Sequence, residues 1–158
     1  MQVNEQQIIF LRHAQSAEKQ IRQTDHARTL TAEGMKQAAE VGLFLKKEKY
    51  NIDLMMASSA QRTKTTAECI AAELGYTGAI QLFDPLYQAD VIQLIEHLID
   101  IDVPSLLVVG HNPTISHTVT YLTGHDVYFS PAQGAAVRLA RQAAWWDASS
   151  AQLHQWIR

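Results

Sequence analysis

Read as apolar and polar positions, the chain resolves into short apolar runs separated by stretches with helical spacing. Ile8-Ile9-Phe10-Leu11 is a continuous apolar run, the pattern of a strand buried on both faces, and it stops abruptly at Arg12-His13. Residues 14–31 are polar, lack a clear period and hold Asp25, His26 and Arg28, so they read as a long loop. Thr31-Ala32-Glu33-Gly34 has the form of a helix start, with Thr31 as N-cap and Glu33 near the positive end of the dipole. Ala38, Val41, Gly42 and Leu45 then recur at helical spacing, and the helix should dissolve near Lys46-Lys47-Glu48-Lys49-Tyr50. Residues 52–57 predict a second buried strand. Ser58-Ser59 end it and can cap a helix that runs through Arg62 and Thr66 to about Leu74, before the stop at Gly75.

Residues 80–83 predict a third strand, broken by Asp84-Pro85. Residues 91–99 place Leu94, Ile95 and Leu98 on one helical face. Ser105-Leu106-Leu107-Val108-Val109 is the strongest strand signal and ends in Gly110-His111-Asn112-Pro113. There Asn112 suits an N-cap and Pro113 a first helical residue, for a helix reaching Leu122 or Thr123 and stopping at Gly124. Residues 135–139 and 152–157 predict two terminal strands joined through Trp145-Trp146-Asp147, an antiparallel hairpin on the sheet edge with the Trp pair packing. Strands alternating with helices predict a three-layer α/β/α domain with a mostly parallel sheet, whose sites form at the carboxyl ends of the strands. No internal repeat, low-complexity segment or linker interrupts residues 1–158, which read as a single domain able to bury one substantial core.

Composition narrows the function classes. The chain is 47% apolar and 18% charged with a formal net charge of −3, so it has no broad attraction for nucleic acid or an acidic membrane, and an anion must be met by a local cluster. No apolar run approaches the ~20 residues of a membrane span, and Met1-Gln2-Val3-Asn4-Glu5 has no basic region leading into an apolar core. A cytoplasmic, monomeric protein is the expectation. Cys69 is the single cysteine and has no internal disulfide partner; helix packing is its expected role.

If the strand ends are neighbours, Arg12, His13, Arg62 and His111 gather at one edge of the sheet. Arg62 also falls in the first turn of its helix, where backbone N–H groups favour an anion. Two arginines and two histidines with no nearby carboxylate run make a locally positive pocket. Its natural ligand is a phosphoryl group, whose oxygens guanidinium forks match in bidentate fashion. No Gly-rich loop followed by Lys-Ser or Lys-Thr is present, so a P-loop nucleotide site is not supported. His26, His97, His117, His125 and His154 follow no metal-ligand spacing and are expected to be solvated or packed, with no metal or cofactor required. Because successive strand residues point to opposite faces, Arg12 and His13 can share a ligand only if the strand ends at about His13.

Arg12-His13-Ala14 resembles the Arg-His-Gly signature of the histidine phosphatase superfamily, which also holds the cofactor-dependent phosphoglycerate mutases. Residues 58–66, Ser-Ser-Ala-Gln-Arg-Thr-Lys-Thr-Thr, are similar to its second block, Ser-Pro-x-x-Arg-x-x-x-Thr, and Gly110-His111-Asn112-Pro113 to its third. The short length and residues 25–34, Asp-His-Ala-Arg-Thr-Leu-Thr-Ala-Glu-Gly, resemble most the SixA-type phosphohistidine phosphatase branch. The resemblance implies a phosphoglycerate mutase-like fold and a covalent mechanism. His13 would be the nucleophile, passing through a phosphohistidine that water hydrolyses, with a cationic neighbourhood lowering its pKa. Arg12 and Arg62 would hold the phosphoryl oxygens, His111 would donate a further hydrogen bond, and Arg28 would reach in from the loop as a substrate-binding residue.

Some positions depart from that pattern. Ala14 stands for the usual Gly, Ser59 for a Pro, and Thr29 for the Pro after the loop arginine. The segment of residues 84–90 contains no Glu to serve as general acid, leaving Asp84, Asp90 or none. An alkoxide leaving group needs a proton, whereas the imidazole of phosphohistidine can leave already protonated. The expected function is therefore a metal-independent phosphatase acting in signal transduction on phosphohistidine of a protein, such as a histidine phosphotransfer domain. The alternatives are a small-molecule phosphomonoesterase of the same superfamily and a catalytically silent phosphate-binding module.

Overall fold

The computed structural model describes residues 4–140, 145 and 147–158. In chain order its elements are β1 Glu5–Arg12, α1 Ala32–Lys47, β2 Leu54–Ser58, α2 Gln61–Leu74, β3 Ile80–Phe83, a 3-10 turn Asp84–Tyr87, α3 Val91–Leu98, β4 Ser105–Gly110, α4 Thr114–Thr123, β5 Gly134–Ala140 and β6 Gln152–Ile157. They form one sheet in the order β3-β2-β4-β1-β5-β6. The first four of these strands run parallel, and β5 and β6 add an antiparallel hairpin at the edge.

The alternation of side chains along β1 and β4 divides the apolar residues between two cores. Ile8, Phe10, Leu106 and Val108 pack with Leu94 and Leu98 of α3 and Val119 and Leu122 of α4. Ile9, Leu11, Leu107 and Val109 pack on the other face with Ala38, Val41 and Leu45 of α1 and Ala67 and Ile70 of α2. Three layers result because the central strands are covered on both sides, which is why they read as continuous apolar runs. Each fully buried Leu, Ile or Phe contributes roughly 1.5–3 kcal/mol. At Gly42 a Cβ would lie 2.9 Å from the Ile70 carbonyl oxygen, so α1 and α2 touch through backbone there. Cys69 is half-buried on α2 with its Sγ 3.9 Å from Met35 Sδ, a packing position. Trp145 is fully buried and meets Phe10 edge to face at 6.4 Å, whereas Trp146 lies outside the described residues.

Thr31 caps α1 as its sequence predicts, accepting from Gly34 N at 2.9 Å. Three boundaries differ from expectation. β2 starts at Leu54, not residue 52, because Asp53 is turned onto β4: its carboxylate accepts from Ser105 N at 3.0 Å. Ala60, not Ser58 or Ser59, occupies the cap position of α2 and makes no side-chain cap bond. α4 begins at Thr114, with Pro113 in the cap position, while Asn112 Oδ1 accepts from Ser116 N and Oγ one turn in. No helix among the described residues is long and apolar enough to cross a membrane.

The loop between β1 and α1 is pinned at its neck. Ser16 bridges Leu30, Ala17 N donates to Thr29 O at 2.8 Å, and Thr31 N donates to Gln15 O at 3.1 Å. Gly34 lies so close beneath that a Cβ there would stand 2.0 Å from the Gln15 carbonyl oxygen.

Candidate active site

β1 ends at Arg12, paired with Gly110 of β4, so the strand stops where a shared ligand for Arg12 and His13 requires it. The backbone then turns under tight control. His13 N donates to Gly110 O at 3.0 Å, and Ala132 N donates to His13 O at 3.1 Å. Thr66 on α2 ties the turn to its own helix: its Oγ1 accepts from Ala14 N at 3.1 Å and donates to Arg62 O at 2.7 Å. The Ala14 methyl, where the resembling family has Gly, is fully buried in the core under α1 and α2 and takes no space from the site.

All five sequence-predicted residues, Arg12, His13, Arg28, Arg62 and His111, line one cavity of about 380 Å³ at the carboxyl ends of β1, β2 and β4. Arg12 is steered by Phe129 O, which accepts from its Nη1 at 2.9 Å. Arg62, nearly buried in the first turn of α2, and Arg28 from the loop are both held by Asp25. Arg62 Nη2 reaches Asp25 Oδ2 at 3.0 Å, and Arg28 Nη1 reaches Asp25 Oδ1 at 3.0 Å. Arg28 is further fixed by Ala17 O at 2.9 Å and Ser16 Oγ at 2.8 Å.

His13 is 8% exposed, and its Nδ1 lies 2.7 Å from the Ala14 carbonyl oxygen. A carbonyl can only accept, so Nδ1 carries the ring proton and Nε2 presents a lone pair. Burial lowers the His13 pKa to about 4, with Arg62, Arg12 and Arg28 adding to the effect against the hydrogen bond to Ala14. The cationic neighbourhood expected from sequence therefore contributes, but desolvation dominates. His111, whose ring centroid is 5.4 Å from that of His13, is lowered to about 3 by burial, then by His13 and Arg62. Both histidines are neutral near neutral pH.

Sequence reasoning missed three residues. Asp25 places a carboxylate in a pocket expected to be purely cationic. A hydrogen bond from Tyr87 Oη at 2.5 Å, then those from Arg28 and Arg62, hold its carboxyl well below the usual carboxylate range. Tyr87 is correspondingly raised by the Asp25 carboxylate, and its ring stands edge to face with His111 at 5.4 Å and His26 at 5.0 Å. Ser58, fully buried, places its Oγ 2.5 Å from His111 Nε2. The one available signal was position: Asp25 lies three residues before Arg28, and Ser58 closes β2 beside Arg62. Asp84 and Asp90 do not line the cavity; Asp90 instead caps α3 in a reciprocal capping box with Gln93. Among the described residues, no group of three or more His, Cys, Asp or Glu side chains is arranged to hold a metal ion.

A mixed sheet covered on both faces, with arginines and neutral histidines gathered at the carboxyl ends of its parallel strands, defines an α/β protein with a cationic cavity at the strand ends. The chain belongs to the histidine phosphatase superfamily (branch 1), whose family model matches residues 8–86. An uncharacterized protein of Mycobacterium leprae is 31% identical over 112 residues, covering 69% of this chain and 66% of that protein. An uncharacterized chloroplastic protein of Arabidopsis thaliana is 27% identical over 142 residues, covering 83% of this chain and 65% of that one. The matched stretches thus span just under two thirds of both curated relatives. Among solved structures, SixA from Nakamurella multipartitia superposes with a TM-score of 0.85 at 23% identity, covering 98% of this chain and 96% of that one. The protein histidine phosphatase SixA complexed with tungstate gives 0.82 at 22% identity, covering 96% of each. A mycobacterial glucosyl-3-phosphoglycerate phosphatase gives 0.71 at 13% identity, covering 97% of this chain and 99% of that one. At these identities the shared property is the fold, which is phosphoglycerate mutase-like as the sequence predicts.

Proposed function

We propose that this chain is a metal-independent phosphatase that takes a phosphoryl group onto His13 Nε2 and releases it to water. Its preferred substrate is phosphohistidine on a protein, such as a histidine phosphotransfer domain. The observation that carries the reading is the state of His13: Nδ1 is committed to the Ala14 carbonyl, and the low pKa leaves Nε2 unprotonated. In the first step the Nε2 lone pair forms a bond to phosphorus while the bond to the leaving nitrogen breaks, its electron pair staying with that nitrogen. Arg12, Arg28 and Arg62 hold the phosphoryl oxygens. Water then displaces His13: its oxygen bonds to phosphorus, the P–N electron pair returns to Nε2, the surplus water proton passes to a base lining the cavity, and Nδ1 keeps the proton that it donates to the Ala14 carbonyl.

The leaving group is constrained by Asp25, the one carboxylate among the described residues lining the cavity. Tyr87, Arg28 and Arg62 keep it ionised, so at neutral pH it has no proton to give. An alkoxide therefore leaves poorly, whereas an imidazole protonated on its other nitrogen departs neutral. The fold likeness to the protein histidine phosphatase SixA supports the same choice.

The test is rapid-quench trapping with a phosphorylated histidine phosphotransfer domain and, in parallel, a panel of sugar phosphates, each with and without EDTA. The expected result is a labelled His13, faster turnover of the protein substrate, and no effect of chelation. Turnover of sugar phosphates alone overturns the substrate assignment. Binding of vanadate without any phosphoenzyme overturns the enzymatic one.

A further inference from the structure

The hydroxyl groups behind His111 can be counted proton by proton. Thr63 is fully buried in the first turn of α2, and its Oγ1 lies 2.7 Å from Ser58 O and 2.8 Å from Ala60 O. Both are carbonyls that can only accept, so the single Thr63 hydroxyl proton is directed to them. Ser58 Oγ is 2.8 Å from the same Thr63 oxygen, which has no second proton to offer, so Ser58 must donate in that contact. Its hydroxyl proton is then used. The 2.5 Å contact between Ser58 Oγ and His111 Nε2 therefore requires His111 to donate from Nε2. A neutral imidazole has one N–H, so Nδ1 holds a lone pair. Among the described residues Nδ1 makes no hydrogen bond and is not among the enclosed polar atoms that lack one, so it is accessible on a residue that lines the cavity shared with His13.

We propose that Thr63, acting through Ser58, is a positioning residue that sets His111 in the Nε2–H tautomer, so that His111 Nδ1 receives the proton of the water that hydrolyses phosphorylated His13. This rests on the covalent reading given above and deepens it. In the water step the O–P bond forms, the P–Nε2 bond of His13 breaks with its electron pair returning to Nε2, and one water proton moves to His111 Nδ1. The imidazolium so formed donates to a phosphoryl oxygen, whose negative charge favours it against the burial and cationic neighbours that hold His111 at about 3 in the empty site, and it returns its proton to solvent when phosphate departs. The donor role expected for His111 from sequence thus arises only after it has accepted a proton. The same tautomer leaves His111 with no proton to give in the first step, which suits a leaving group that needs none.

The proposal is tested on the intact protein by a long-range proton–nitrogen correlation spectrum of its ring-labelled histidines near neutral pH, with His111 assigned by substitution. Wild type is expected to show Nε2 protonated and Nδ1 bare. Thr63→Val, nearly the same shape without the hydroxyl, frees the Ser58 proton to point at Nε2 and should invert the pattern, while Thr63→Ser should restore it. In parallel, the decay of radiolabelled phosphoenzyme should slow by about tenfold or more in Thr63→Val, with its formation little changed. A protonated Nδ1 in wild type, or an unchanged tautomer in Thr63→Val, overturns the proposal. If Thr63→Val does not fold, Ser58→Ala serves: losing its Nε2 acceptor, His111 should populate both tautomers, and retention of the wild-type pattern overturns the relay. The tautomer readout needs no substrate, so a chain that forms no phosphoenzyme defeats the functional reading while the relay is judged on its own.

Discussion

The two ends of the sheet both open into polar cavities of similar size. About 380 Å³ lies beside His13 and about 380 Å³ beside Tyr50 and Asp53, with a further space of about 300 Å³ next to Arg138 and His154. Both ends carry arginine, histidine, tyrosine and aspartate. They differ in how those groups are held. At the far end Tyr50 donates to Gln155 Oε1 at 2.7 Å, Asp53 closes a backbone contact with Ser105, and Arg138 leans on an exposed His154 at 3.1 Å. Each of these contacts ties one strand or loop to its neighbour. At the carboxyl end, by contrast, one buried and one half-buried histidine are kept neutral, and one carboxylate orients two guanidinium groups. Cavity volume does not distinguish a site, and shifted titration alone does not either, since burial also raises Tyr50 and lowers His154 at the far end. What the carboxyl end adds is two histidines shifted furthest, to about 4 and about 3, together with three arginines around one cavity.

The sharpest contrast is expected from His13→Ala, which should abolish the trapped phosphoenzyme and lower turnover by at least about 10⁴-fold. Arg62→Ala should lower turnover by about 10²–10³, the loss of one preorganised charge contact. Arg62→Lys should recover little of it, because the fork that meets the Asp25 carbonyl and carboxylate together is gone.

Acid should act on the two ends unequally. The folded pKa of His13 is lowered, so its neutral form contributes stability above the unfolded value near 6.5, and that contribution is lost as pH falls from there toward about 4. A loss of order 3 kcal/mol is the upper bound for this one group, read as the difference in urea midpoint between wild type and His13→Ala across that range. Phosphoenzyme formation in single-turnover experiments should stay level from neutral pH down and fall only near pH 4, where Nε2 takes a proton. The smallest effects belong to the far end. Arg138→Gln should leave turnover within about twofold, and Tyr50→Phe should cost about 1 kcal/mol of stability through its lost hydrogen bond. An Arg138→Gln enzyme as crippled as Arg62→Ala would erase the distinction between the two cavities.

Much of the carboxyl end was readable along the chain because each part is announced locally. Arg12-His13 follows an apolar run, Arg62 opens a helix after β2, and His111 follows the strongest strand, so strand order alone brings them together. What was not readable depends on side chains meeting across long separations. Tyr87 touches Asp25 over 62 positions and Ser58 touches His111 over 53, and neither pairing leaves a periodic trace. The failed cap of α2 has the same origin. Ser58 and Ser59 look like caps, but their hydroxyls are engaged by His111 and Thr63 and by His26 at 2.9 Å, so tertiary contacts override the local preference. Asp53 shortens β2 for a like reason, its carboxylate being drawn to Ser105.

The pinned neck of the loop between β1 and α1 has a consequence for how such a protein can be diversified. Gln15, Thr31 and the backbone over Gly34 close the excursion where it leaves and rejoins the domain, independently of what lies between. Once the ends are fixed, lengthening the intervening chain adds only about 0.6 kcal/mol of closure entropy per doubling. The tip around the fully exposed Ile21 can therefore be exchanged wholesale while Arg28, two residues before the Leu30 bridge and tied to Ala17 O, keeps its address. The loop behaves as a cassette: grafting a foreign tip between Ala17 and Asp25 is a route to new recognition at the rim of the cavity without rebuilding the groups beneath it.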